Sequence, residues 1–212
     1  MSRPPRTRRQ AQAEARREQL LAVALDVFAE RGVRGSSIRD IAHAAGITEG
    51  LIYHYFPSKS ALVQAVIHRF AFADEVTSLI GEMKGIPARE AFYRLAWRYF
   101  ELLSRNRTFV TMLFAEVPRD PEVARAFAEV VFRGFQAVRQ FAEKRIAAGE
   151  VRPHDVTIAL RLVHGSILWF FLMYEKLSPP LPPIDPETFV RGAVDLVMDG
   201  IALSPGREEA GR

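Results

Sequence analysis

The chain has 212 residues, 49% hydrophobic and 25% charged, with a formal net charge of +4. These are the proportions of an ordinary globular protein that can bury a sizeable core, as one large domain or two small ones. It has no cysteine, which excludes disulfides and thiolate catalysis, restricts any zinc site to His and carboxylate ligands, and fits a reducing cytoplasm.

No apolar run approaches the ~20 residues that cross a bilayer. The basic N-terminus lacks the apolar segment of a secretory signal. The expectation is a cytoplasmic protein with no membrane partner. Residues 1 to 60 hold 10 Lys and Arg against 6 Asp and Glu, whereas the rest of the chain balances at 19 and 19. Charge confined to one part of a chain is expected where that part meets phosphates.

Residues 1–10 carry four arginines and two prolines and read as a basic disordered arm able to reach into a minor groove through Arg6, Arg8 and Arg9. Helix formers from Ala11 onward, then Leu20, Leu21, Ala24, Leu25, Val27 and Phe28 at helical spacing, predict a first helix that Gly32 ends. Ser37 and Asp40 stand in a capping-box arrangement before a short helix whose apolar face is Ile38, Ile41, Ala42 and Ala45. Gly46 permits a sharp left-handed stop, and Thr48 is placed to cap the next helix. That helix turns Ile47, Leu51, Ile52, Tyr55 and Phe56 inward and Glu49, Gly50, Tyr53 and His54 outward. Leu21, Leu25, Phe28 and Ile41 are expected to centre a three-helix core closed by Ile52 and Phe56. An outer face of glycine, tyrosine and histidine suits nucleic acid better than water, and helix, glycine turn, helix is the pattern whose second helix enters the major groove.

The run Leu51-Ile52-Tyr53-His54-Tyr55-Phe56-Pro57-Ser58-Lys59-Ser60-Ala61-Leu62, near the N-terminus of a helical chain, resembles the DNA-binding segment of TetR-family transcriptional repressors. The resemblance implies an all-α fold of about nine helices. A helix-turn-helix domain would span 11–56 (motif about 37–56), a connecting helix 57–80, a larger ligand-binding and dimerisation domain 81–204 and a disordered tail 205–212. It implies phosphate contacts from Ser36, Ser37 and Lys59. Thr48, Glu49 and Gly50 would enter the groove, Tyr53, His54 and Tyr55 would hold bases or phosphate, and Arg39 would lie at the edge. Leu51 departs from the family pattern, where a small or polar residue is frequent; it either touches a thymine methyl or joins the core.

A long helix from Ser58, its N-cap, to about Leu79 carries Leu62, Val63, Val66, Ile67 and Phe70. Further helices are expected at about 88–104, 106–116, 121–148, 154–176 and 186–203, separated by Asn106, Pro118, Pro121, Gly149, Pro153 and a proline-rich 178–186 connector. Phe92, Trp97, Phe100, Met112, Phe127, Val131, Phe135, Trp169 and Met173 are candidates to line a pocket for a hydrophobic effector; the same aromatics serve equally as core. Arg98, Arg105, Arg133, Arg161 and His164 are the groups available to an anionic head on such an effector. The apolar run around Trp169 wraps its helix, so that helix needs burial on more than one side. Leu168, Phe171, Leu172, Phe189, Ala193 and Val197 are the candidates for a homodimer interface, which TetR-family dimers build across a two-fold axis. The reading is a ligand-responsive repressor, a homodimer on a palindromic double-stranded operator, released by its effector. Its alternatives are a constitutive DNA-binding regulator and a helical small-molecule-binding module. His-Glu-x-x-His, Gly-x-Ser-x-Gly, P-loop and Rossmann patterns are absent from the sequence, so no enzyme activity, metal or cofactor is expected.

Overall fold

The computed structural model describes residues 8–174 and 183–200. The expectations for residues 1–7, for most of the proline-rich connector and for the 205–212 tail lie outside the described residues. Within them are ten helices and no strand: α1 (Arg8–Arg31), α2 (Ile38–Ala45), α3 (Glu49–Tyr55), α4 (Lys59–Phe70), α5 (Ala73–Glu82), α6 (Ala88–Arg105), α7 (Arg107–Glu116), α8 (Pro121–Ala147), α9 (Val156–Tyr174) and α10 (Pro186–Asp199). Arg8, Arg9 and Gln10, expected in the disordered arm, are the first turn of α1.

The tenth helix comes from a break in the expected 57–80 helix. Ala71 is extended (φ −80°, ψ 145°) and separates α4 from α5. Phe70 and Phe72 both pack on the Phe109 ring, with centroids 5.9 and 6.4 Å away. In an unbroken helix, residues two apart point about 200° from one another, so both rings reach Phe109 only because the chain changes course between them.

The chain forms two compact units, one of residues 1–74 and 105–134, the other of 75–104 and 135–212. In the first, α1 packs on α2, α4 and α7, and α2 on α3. Leu21, Leu25, Phe28, Ile41, Ile52 and Phe56 are buried there as expected, joined by Leu62 and Val66 of α4 and by Phe109 and Leu113 of α7. Each such side chain contributes roughly 1.5–3 kcal/mol on burial. Nothing local in the sequence places α7 beside the helix-turn-helix.

In the second unit Met83, Ala91, Leu95 and Phe141 form a core flanked by Leu79, Ile80, Ile86 and Phe92. Arg145 clasps it: its guanidinium donates to the Met83 and Ile86 carbonyls, both at 2.8 Å, and lies over the Phe141 ring. Asp185 caps α10 by accepting the Thr188 amide at 3.0 Å, and Pro186 opens the helix. Arg89 of α6 pairs with Asp195 and Asp199 of α10. By length and composition α9 is apolar enough to cross a bilayer, although Arg161 and His164 interrupt it and keep any single run short. A core helix of a soluble protein meets the same criteria.

Candidate nucleic-acid interface

Two local motifs position the outer face of α3. The first is the capping box that opens α2. The Ser37 hydroxyl accepts the Asp40 amide at 3.1 Å, and the Asp40 carboxylate accepts the Ser37 amide at 2.8 Å and the Ser37 hydroxyl at 2.6 Å. Those two bonds, with Arg31 3.0 Å away, hold the Asp40 carboxyl below its ordinary pKa. The second is the turn at Gly46 (φ 64°), whose amide closes on Ala42 and His43 while Ile47 donates back to Ala42 at 3.0 Å. This left-handed stop sets the course of the chain into α3.

Thr48 occupies the N-cap of α3 but makes no side-chain capping bond, against the expectation, so its hydroxyl is left to solvent or DNA. Arg39, Thr48, Glu49, Gly50, Tyr53 and His54 are all exposed, Tyr53 at 49%. A Cβ built on Gly50 would meet nothing within 4 Å. Nothing in the protein's own packing therefore asks for glycine there. Tyr55 is half-buried, edge-on to His54 at 5.2 Å, and Leu51 is half-buried rather than outward. Ser36 is buried, its hydroxyl donating to the Val33 carbonyl at 3.0 Å, and the Lys59 ammonium donates to the Ser36 carbonyl. Of the ten expected residues, seven are thus exposed, and Tyr55 and Lys59 are half-buried. Ser36 is the tenth, and its hydroxyl faces inward.

Residues 20–66 match the family model of the bacterial regulatory proteins of the tetR family, and residues 90–200 match that of the AefR-like transcriptional repressor C-terminal domain. The chain belongs to the TetR family. This TetR-family chain is 44% identical over 180 residues to the HTH-type transcriptional repressor KstR2 of Mycobacterium tuberculosis (strain ATCC 25618 / H37Rv), covering 80% of its own length and 86% of the relative's. Among solved structures it shares the fold of FadR from Bacillus subtilis in complex with stearoyl-CoA, with TM-score 0.68, 21% identity, and 87% and 99% of the two chains covered. The fatty acid degradation regulator FadR from Bacillus halodurans gives TM-score 0.71, 20% identity, and 87% and 95% covered. It is a DNA-binding transcriptional regulator.

The expected pocket residues of this regulator divide. Met112, Phe127 and Val131 belong to the first unit; Phe92, Trp97, Phe100, Phe135, Trp169 and Met173 belong to the second. In the second unit Trp97 stacks on Phe100 at 5.6 Å, and Phe100 meets Phe170 and Phe171 at 6.1 and 6.5 Å. Phe92 packs edge-on against the core residue Phe141. Trp169 is 63% exposed and Val131 37%, so neither faces the interior of its unit. Tyr99, passed over in the sequence, stacks on His164 at 4.5 Å. Burial pushes the Tyr99 phenol well up and the His164 imidazole down, which leaves His164 neutral near pH 7 and ill suited to hold an anion. Arg98 is committed to Glu101 at 2.9 Å and Arg133 to His68 at 3.2 Å, while Arg105 and Arg161 are exposed.

Of the expected interface residues, Phe171 is buried within its own subunit, on the inward face that α9 builds from Leu160, His164 and Ile167, and has little surface to offer a second copy. Phe189 stacks on Phe170 at 4.1 Å within the subunit. Leu168, Leu172, Ala193 and Val197 are half-buried. The most exposed apolar side chains of α9 and α10 are instead Ile158, Leu162, Trp169 and Leu196, at 58%, 59%, 63% and 59%, and Phe132 of α8 is as exposed as Trp169. The signal on α9 was present in the sequence: Ile158, Leu162, Gly165, Trp169 and Leu172 alternate by four and three, the spacing of a helix–helix seam.

Proposed function

We propose that the protein is a ligand-responsive repressor that acts in the cytoplasm as a homodimer on a palindromic operator. The observation that carries this reading is the exposed set Arg39, Thr48, Glu49, Gly50, Tyr53 and His54 around a glycine-hinged helix pair. Glu49 accepts from a cytosine amine, Tyr53, His54 and Tyr55 take bases or phosphate, and Lys59 takes the backbone beside them, while both Ser37 donors stay with Asp40. The Ser36 hydroxyl is assigned to the loop instead. The apolar seam of α9 together with Leu196 of α10 is the surface through which two copies pair, and Trp169 belongs to it rather than to a pocket. A dimer is what lets two short recognition helices read two half-sites one helical turn apart.

The effector we infer is hydrophobic with an anionic head group. The aromatic cluster of Trp97, Phe100 and Phe170 supports the apolar part, and the stearoyl-CoA in the Bacillus subtilis FadR complex supports the class. Arg161, exposed on α9 of the same unit, is the cation we assign to the head group. An effector that prefers a head spacing unsuited to the operator releases the DNA; a coupling of ~2–3 kcal/mol corresponds to roughly 30- to 150-fold weaker binding.

The test is selection from a random duplex library, followed by titration of the selected duplex with stearoyl-CoA present. The expected outcome is an enriched palindrome and a fall in affinity with the ligand. A palindrome whose binding no acyl-CoA alters would leave the constitutive regulator. No enrichment would refute DNA reading.

A further inference from the structure

A run of hydrogen bonds links the end of α7 to the start of α4. Glu116, the last residue of α7, is only 7% exposed, and its Oε2 accepts the Val33 amide at 3.1 Å. The Val33 carbonyl accepts the Ser36 hydroxyl at 3.0 Å, and the Ser36 carbonyl accepts the Lys59 ammonium. All four residues lie in the first unit.

The loop is wound tightly around this run. Gly32 has φ 75°, and a Cβ there would come to 3.0 Å from Glu116 Oε1; a Cβ on Gly35 would come to 2.4 Å from the Arg31 carbonyl oxygen. Glu116 is itself pinned, since its own carbonyl accepts the Arg119 and Asp120 amides at 2.8 and 2.9 Å. Among the described residues no cation pairs with its carboxyl group. A buried carboxyl without a counter-charge costs stability that leucine at the same place would not. Packing therefore does not explain it, whereas its hold on Val33 does.

We propose that Glu116 is a positioning residue for operator binding. It fixes the Val33–Ser37 loop, and through the Ser36 carbonyl the Lys59 ammonium, so that Lys59 presents its remaining donors to the DNA backbone. It is also the point at which a displacement of α7 reaches that surface. The link is direct: the 3.1 Å bond weakens as α7 recedes from the loop, because a hydrogen bond loses strength with distance. This rests on the DNA-binding role of Lys59 proposed above.

The experiment titrates wild type, Glu116→Ala, Glu116→Gln, Lys59→Ala and the double variant Glu116→Ala/Lys59→Ala against the duplex selected by wild type, over a range of salt. Glu116→Ala should bind roughly tenfold more weakly, with a salt slope smaller by about 1, as for one lost phosphate contact. Glu116→Gln keeps an acceptor for the Val33 amide and should stay within about twofold of wild type. The double variant should be hardly weaker than Lys59→Ala alone, because both act on one contact. A folded Glu116→Ala dimer with unchanged affinity and slope would overturn the proposal. So would a Gln variant as weak as Ala, or losses that multiply in the double variant. Should Glu116→Ala not fold, amide exchange at Val33 decides: slow exchange in both wild type and Glu116→Gln supports the link, and loop-like exchange in wild type overturns it. Failure of wild type to select any duplex would instead remove the DNA-binding reading, a separate outcome.

Discussion

Gly50 faces open space at the start of a seven-residue helix, where glycine weakens the helix by about 0.5–1 kcal/mol relative to alanine. Gly50→Ala should therefore raise the stability of the free protein by about that amount while weakening operator binding, as urea denaturation and a DNA titration would record together. A gain in stability with undiminished binding would mean that DNA does not approach this backbone. Asp40 gives a pH signature. Its carboxyl titrates below the ordinary 3.8 in the folded chain because Ser37 donates to it twice and Arg31 lies beside it. A depressed carboxylate pKa contributes stability that is present above the unfolded value and lost as pH falls through the folded one. Stability should therefore decline as pH falls below about 3.8, and Asp40→Asn should flatten that acid limb in urea denaturations carried from neutral pH down through it. Ser37 and Asp40 were legible in the sequence because a capping box is local. The inward turn of the Ser36 hydroxyl was not, because its partner, the Val33 carbonyl, is set by a loop conformation that α7 enforces.

At the scale of elements, hydrophobic spacing and punctuation placed most helices to within a few residues. The exception is the break at Ala71. The apolar stripe runs through it without interruption, and it is the distant Phe109 ring, against which both Phe70 and Phe72 pack, that accompanies the change of course. Phe109→Ala should cost about 3–5 kcal/mol as a cavity in a packed core, read by urea denaturation, and should loosen the α4–α5 junction to amide exchange. A loss below about 1 kcal/mol would mean that the break has another origin. The same kind of remote partner hid Glu116. A glutamate at the end of a helix reads as solvated until α7 is seen to lie against α1.

At the scale of the molecule, charge asymmetry and the Tyr53-to-Lys59 run were enough to name a DNA-reading head, since both depend on residues close in sequence. Pocket and interface were harder, because an apolar helix does not declare which of its faces meets its own subunit. Phe171 turned inward and Trp169 outward on α9. Replacing Leu162 and Trp169 together by Asp should yield a folded monomer by sedimentation and lower operator affinity roughly 10²-fold or more, through loss of the second head; a surviving dimer would move the interface elsewhere. The most direct test of the whole account is a hydroxyl-radical footprint of the wild-type protein on its selected duplex. Two protected patches on one face of the DNA, centred about one helical turn apart and related by a dyad, are expected. A single patch, or none, would contradict a dimer reading its operator through two α3 helices.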